Sequence, residues 1–382
     1  MQFSLTADQA LLKDAVERFV RNRYASRERR GYRESPTGYD SRNWRELAEI
    51  GVLALPFAAA DGGLSGGPTE LITAMEALGA GLVVEPVLEE IVVAGSLLAD
   101  AGSKEQKAHW LPGVVAGEAH LALAHFEHGA RFNLSDVRVN AQTRAGTTVL
   151  SGEKTVVPLA AAADMWIVSA RERGAPTDSE GIGLYLVSPE AAGIERRDFR
   201  MVDGSIASSI RLREVTAADR LRGGYAELAQ VIDGARLAAC GEMLGIMSTL
   251  LRTTLEYLRS RQQFGAPLAS FQTLQHRMAD LYVLLEQSRS HVYRGAHCAR
   301  TGVGRERSIA GMKSYVSRAA VELGEECVHL HGGIGTTDEL AIGHGYKRLI
   351  LLANLFGDAN SELVRFNRLR NAAQGALDPT NR

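Results

Sequence analysis

The chain has 382 residues, 45% of them apolar, with 43 Lys plus Arg against 45 Asp plus Glu and a formal net charge of −2. That length supports a large core and two or three domains, while so even a charge balance argues against a nucleic-acid or polyanion partner. The three cysteines, Cys240, Cys298 and Cys327, lie in helical contexts without metal-ligand spacing, which predicts buried reduced thiols, no metal centre and a cytoplasmic setting.

The N-terminal stretch MQFSLTADQALLKDAVERF is amphipathic and of mixed charge, and no apolar run reaches membrane-spanning length. Neither a signal peptide nor a membrane anchor is therefore expected. From Thr6 to about Tyr24, apolar residues recur at helical spacing behind a capping Ser4 or Thr6, which predicts a first helix. Helices are also expected over Arg42–Ile50, Pro68–Gly79, Val87–Ala101 and Lys104–Val115, separated by the glycine-rich 61–67 stretch and by Gly102. Near Ala119 the pattern changes to short runs, Leu121–Ala124, Val137–Ala141, Thr147–Leu150, Met165–Ser169 and Gly183–Val187, broken by Gly, Pro and Asn. These predict an antiparallel β-domain. Long helical patterns return over Gly224–Arg261, Leu268–Arg300 and Arg305–His331, with a last helix after Gly357, as in a four-helix bundle. The expected class is α+β: an N-terminal helical domain over 1–118, a middle antiparallel β-domain over 119–222 and a C-terminal helical bundle over 223–382.

Four phrases narrow the choice: RQQFG at Arg261–Gly265 with FQTLQHRMADL from Phe271; HGGIG at His331–Gly335 with Lys347 and Arg348 beyond; WRELAEIGV at Trp44–Val52; and GSKEQKAHWLP at Gly102–Pro112. Together, in this order, they resemble the acyl-CoA dehydrogenase family over essentially the whole chain. The resemblance implies FAD as cofactor, an acyl-CoA substrate, an electron-transfer flavoprotein-type acceptor, and a homo-oligomer or a heterotetramer with a related subunit. It directs Arg261 to the diphosphate of a neighbouring subunit's FAD, a task that suits a forked guanidinium. Phe264 would lie on the adenine side and Gln272 would supply amide contacts. Gly332 and Gly333 would let backbone approach the cofactor. His329 stands where the family usually has Gln, and an imidazole can still donate. The bland alternative for RQQFG is an ordinary helix end with a glycine cap. His331 and His344 read as packed or capping groups.

The family's reaction needs a carboxylate base for the proton alpha to the thioester, usually a glutamate in a phrase after the bundle. A gap-free count from Gly332 puts Phe356 there, and the alternative place before a helical arginine holds Ala235, ahead of Arg236. A two-residue shift would make Asp358 the catalytic base. Its competing reading is the cap of the final helix, with Glu362 solvated one turn on. The flavin-ring phrases also depart from the family: Glu127, His128 and Gly129 are separated from Ser135 and Asp136, and Val156, Val157 and Pro158 replace a Trp-Ile-Thr. Proline supplies neither hydroxyl nor N–H, and Trp166 reads as core. This combination is similar to one subunit of heteromeric members that act on dicarboxylate or sterol side-chain thioesters. A self-sufficient dehydrogenase using Asp358 and a redirected flavin-binding scaffold are the other readings.

Overall fold

The computed structural model describes residues 5–375, apart from the side chains of Ser26, Arg27 and residues 373–375. Helix α1 (Ala7–Arg23) starts at a capping box in which Thr6 and Gln9 satisfy each other's backbone amides. α2 (Ser26–Glu34) was not expected from the sequence, because SRERRGYRE has almost no apolar stripe. α3 (Ser41–Ile50) is capped by Asp40 and stopped by Gly51 in the left-handed region. α4 is Pro68–Ala80. The single helix expected over Val87–Ala101 instead begins with a π-helical stretch, Val87–Gly95, and continues as α5 (Ser96–Ala101). α6 (Lys104–Ala116) has a Ser103–Gln106 capping box and ends at left-handed Gly117.

The strands are β1 (Leu121–Ala124), β2 (Asn140–Arg144), β3 (Thr147–Pro158), β4 (Met165–Arg171), β5 (Ile182–Val187), β6 (Ile194–Arg200), β7 (Ile206–Thr216) and β8 (Asp219–Arg220). Their order is β6-β7-β3-β2-β4-β5-β8, with β1 beside β4. The sheet is not purely antiparallel as expected: β1 pairs with β4 in parallel, Leu121 opposite Met165. A helix precedes β1 and a long connection follows it, so no hairpin imposes an antiparallel partner. β4 and β5 are buried almost throughout, which is why their sequences read as unbroken apolar runs. Trp166 is part of that core. β6 and β7 went unrecognised because the edge strand IERRDFR is mostly exposed and charged.

The helices that follow are α7 (Tyr225–Ser260), α8 (Gln272–Thr301), α9 (Arg305–His331), α10 (Ala341–Asn354) and α11 (Ala359–Gly375). Between α7 and α8 runs a small hairpin, β9 (Gln262–Gln263) and β10 (Ala266–Pro267). Contacts divide the chain into two compact units. One comprises the chain up to Arg29, Gly67–Val83 and everything from Arg236; the other comprises Arg30–Gly66 and Val84–Ala235. Within the first, α9 packs against α8, α10 and α11 through Ile309, Val316, Ala320, Leu323 and Cys327 on one stripe. α4 and α7 approach closely at Gly79 and Gly245, where an added Cβ would lie 2.2 Å from the Glu242 carbonyl oxygen and 1.9 Å from that of Glu76. Bidentate Arg348–Glu242 bonds of 2.7 and 3.1 Å tie α10 to α7. Within the second unit, α6 meets the sheet where Gln106 donates 2.6 Å to Asp219.

Candidate functional site

Two places in the helical unit hold the residues singled out by sequence. At the first, Arg261 ends α7 with its amide on the Tyr257 carbonyl, 2.8 Å away. The hairpin that follows turns through Phe264 and Gly265 at φ +55° and +79°, positive at both central positions as in a type I′ turn. Phe264 is 90% exposed and touches Phe271 edge-on, with centroids 6.2 Å apart. Gln272 opens α8, exposed. No ion pair engages Arg261 among the described residues.

The end of α9 closes on the same region. Tyr257 stacks on His331 at 4.4 Å, and Arg277 of α8 reaches His329 Nδ1 at 3.1 Å. Arg261, Phe264, Gln272, His329, Gly332 and Gly333 therefore share one end of the bundle. His331 is buried with Nδ1 2.8 Å from the Cys327 carbonyl oxygen, which makes it a packed group. His329 is exposed but engaged: Arg277 also pairs with Glu326, which lies 3.7 Å from the imidazole. Gly332 has φ +66°, and a Cβ on it or on Gly333 would meet open space.

The second place is the loop between α10 and α11. Phe356 is 4% exposed at φ +62°, and Gly357 follows at φ +135°. Arg236 Nε donates to the Phe356 carbonyl oxygen at 2.9 Å and lies 3.0 Å from Glu362 Oε1. Glu362, expected to be solvated, is 2% exposed. Its partner comes from α7, far upstream, so its local sequence carried no sign of burial. An added Cβ on Gly357 would sit 2.5 Å from that same carboxylate. Asp358 Oδ1 accepts the Ser361 amide at 2.7 Å, and its carbonyl accepts the Glu362 amide at 3.0 Å, the geometry of a helix N-cap.

Lys313, which sequence reading missed, locks the same loop from below. Fully buried, its Nζ donates to the carbonyls of Leu352 (2.5 Å) and Ala353 (3.2 Å) and to Ser317 Oγ (3.1 Å). It thus takes up orphan carbonyls at the end of α10. Burial pushes its pKa down to about 8. The available signal was its place on the apolar stripe of α9. Cys240 and Cys327 are buried as expected, but Cys298 is partly exposed.

In the β-sheet unit, buried Lys154 lies 2.5 Å from Glu127 and 2.9 Å from Ser169 Oγ. Glu127 also accepts the amides of Arg138 (2.7 Å) and Val139 (3.2 Å). A buried ion pair holds only when its remaining valences are met in this way. The pair anchors the phrase that departs from the family: β3 bulges between Lys154 and Val157, Val156 stands at φ +49°, and Pro158 ends the strand opposite Ala207. Among the described residues no cluster of His, Cys, Asp and Glu could hold a metal ion, and no helix is long and apolar enough to cross a membrane.

The family profile described as acyl-CoA dehydrogenase, N-terminal domain, matches residues 6–118, and that for the C-terminal domain matches residues 222–364. The chain is 26% identical over 379 residues to a probable acyl-CoA dehydrogenase, YngJ, of Bacillus subtilis, covering 96% of this chain and 98% of that one. Among solved structures it is similar to a variant of the Tcur3481-Tcur3483 steroid ACAD, with TM-score 0.87, 29% identity and coverage of 97% of this chain and 99% of that one. It is also similar to a chain of the ChsE4-ChsE5 complex from Mycobacterium tuberculosis, with TM-score 0.85, 25% identity and coverage of 96% and 98%.

Proposed function

Because the chain belongs to the acyl-CoA dehydrogenase family, whose members are FAD-binding flavoproteins, we propose that it is the cofactor-contacting subunit of a heteromeric acyl-CoA dehydrogenase. The observation that carries this reading is the contrast between two parts of one helical unit. Where the adenosine diphosphate of a neighbour's FAD would be met, Arg261 has no ion pair among the described residues, Phe264 projects into solvent and Gly332 and Gly333 border open space. Where a base would be needed, Phe356 is buried and the Asp358 carboxylate caps α11.

In this reading Arg261 would hold the diphosphate with its forked guanidinium, Phe264 would lie on the adenine side, and Gln272 and His329 would supply hydrogen-bonding contacts. FAD, when bound, supplies the hydride acceptor for dehydrogenation of the acyl-CoA thioester. The ring-side phrase of this chain does not fit a flavin of its own, since Pro158 offers neither donor expected there. The proton alpha to the thioester is then taken by a base on the related subunit, and electrons pass to an electron-transfer flavoprotein-type acceptor. The likeness to the steroid ACAD favours a bulky acyl group.

Purification alone and with a co-expressed relative bearing an intact glutamate tests this. The chain alone is expected colourless and the complex yellow and bleached by substrate. In that complex Arg261→Ala should weaken FAD retention by about 1.5–3 kcal/mol. A yellow, substrate-bleachable protein made alone overturns the reading.

A further inference from the structure

Two segments far apart in sequence form the open end of the bundle, and neither alone makes a site there. One is the end of α7 with Arg261; the other is the end of α9 with Gly332 and Gly333. A single side chain joins them. Tyr257 precedes Arg261 by one helical turn, and its carbonyl accepts the Arg261 amide at 2.8 Å. Its ring lies against the His331 imidazole, with centroids 4.4 Å apart and planes inclined by 22°. Its hydroxyl donates to the His331 carbonyl oxygen at 3.3 Å. That oxygen belongs to the last residue of α9, where helical carbonyls lack intrahelical partners. The bond therefore fixes the peptide that leads directly into Gly332.

Each end of this bridge is itself anchored. The Cys327 carbonyl can only accept, so His331 Nδ1, 2.8 Å away, carries the hydrogen, and burial pushes the imidazole pKa down, which keeps the ring neutral. The ring cannot turn without giving up that bond. Behind it the glycine loop folds back: an added Cβ on Gly335 would lie 2.9 Å from His331 Cβ and 2.6 Å from the Val328 carbonyl oxygen. Gly332, at φ +66° and ψ −149°, holds a conformation that favours glycine. On the other side, the Arg261 carbonyl accepts the Leu268 amide at 2.8 Å, which closes the hairpin on the helix end. We propose that Tyr257 is a positioning residue of the cofactor site, holding Arg261 and the Gly332–Gly333 backbone at the separation that one diphosphate-bearing ligand requires. Its ring need not touch the ligand. Groups that bind a ligand do so best when packing and hydrogen bonds behind them hold their geometry to within about 0.5 Å. If Tyr257 only filled space, its hydroxyl would be immaterial to the ligand.

The inference rests on the cofactor reading, so Arg261→Ala is measured beside the Tyr257 variants. The readout is FAD release from the co-expressed holo-complex on dilution, followed by flavin fluorescence. Tyr257→Phe keeps the ring and loses only the bond to His331, and FAD should be held about two- to tenfold less tightly. Tyr257→Leu, which also loses the stack, should weaken it further. When either change is combined with Arg261→Ala it should add clearly less than it does alone, because the arginine it aligns is gone. A purely structural role would instead add in full. If Arg261→Ala weakens FAD retention but both Tyr257 variants keep it, or if the losses add in full, the positioning role is overturned and the cofactor reading stands. If Arg261→Ala has no effect, the cofactor reading is overturned and the role of Tyr257 with it.

Discussion

Phe264 and Phe356 are each followed by glycine and each hold a left-handed backbone, at φ +55° and +62°, yet the first is 90% exposed and the second 4% exposed. A left-handed conformation in a non-glycine residue costs about 1–2 kcal/mol. At Phe356 that cost is offset by its own burial, by the Arg236 bond to its carbonyl and by the Glu362 carboxylate beneath Gly357. At Phe264 the exposed ring lies edge-on to Phe271, and the two-residue hairpin holds the turn. The same dipeptide thus serves as part of the core in one place and as a projecting surface in the other. The difference comes from distant residues rather than from local sequence.

The sharpest break of this comparison is Arg236→Ala, which leaves Glu362 buried without its closest cation. A loss of about 3–5 kcal/mol in urea unfolding is expected, whereas the hairpin end should keep its structure. Next in size is a pH effect at Lys313. Its folded pKa is depressed to about 8 from 10.5, so between those values the unfolded chain binds the extra proton. Its contribution to stability therefore grows as pH rises through that window, by at most about 1.4 kcal/mol per unit, and is lost again as pH falls to 8. Lys313→Met should flatten the difference between pH 8 and 10; an unchanged slope would mean the lysine titrates normally. Asp358→Ala should cost about 1 kcal/mol through the lost cap, and Asp358→Asn almost nothing, since asparagine caps equally well. Neither should slow flavin bleaching by substrate in the assembled complex. A clean loss of bleaching in the asparagine variant would make Asp358 the base. The smallest effect is expected at Phe264→Asn, which should raise the melting point slightly because asparagine tolerates the left-handed turn, while FAD retention falls. Equal loss of stability at Phe264 and Phe356 on truncation would erase the distinction.

What was legible in the sequence was what neighbouring residues determine. The stripes of α1, α7, α8 and α9 follow from helical spacing, and the acyl-CoA dehydrogenase fold follows from four short phrases. α10 was not among the expected helices, and its sequence AIGHGYKRLILLAN carries two glycines, Gly343 and Gly345. An added Cβ at Gly345 would lie 2.7 Å from the Leu250 side chain, so that glycine serves close helix packing rather than a turn. The residues at the open end of the bundle were recognisable only through the RQQFG and HGGIG phrases, which resemble those of the family. The lock on the α10–α11 loop was not, because Arg236, Lys313 and Glu362 lie on three helices and are brought together only in the folded unit. The parallel β1–β4 pairing was hidden for the same reason.

The helical unit gathers α1 and α4 with helices that begin at Arg236, across an intervening stretch of about 150 residues. At a synthesis rate of about 5–20 residues per second, α4 waits roughly 8–30 s on the ribosome before its α7 contacts at Gly241 and Gly245 exist. During that interval the apolar faces of α1 and α4, with Phe19, Ile72 and Met75, have only each other to cover them. A nascent chain arrested before Arg236 is a natural client for a chaperone that binds exposed apolar helices.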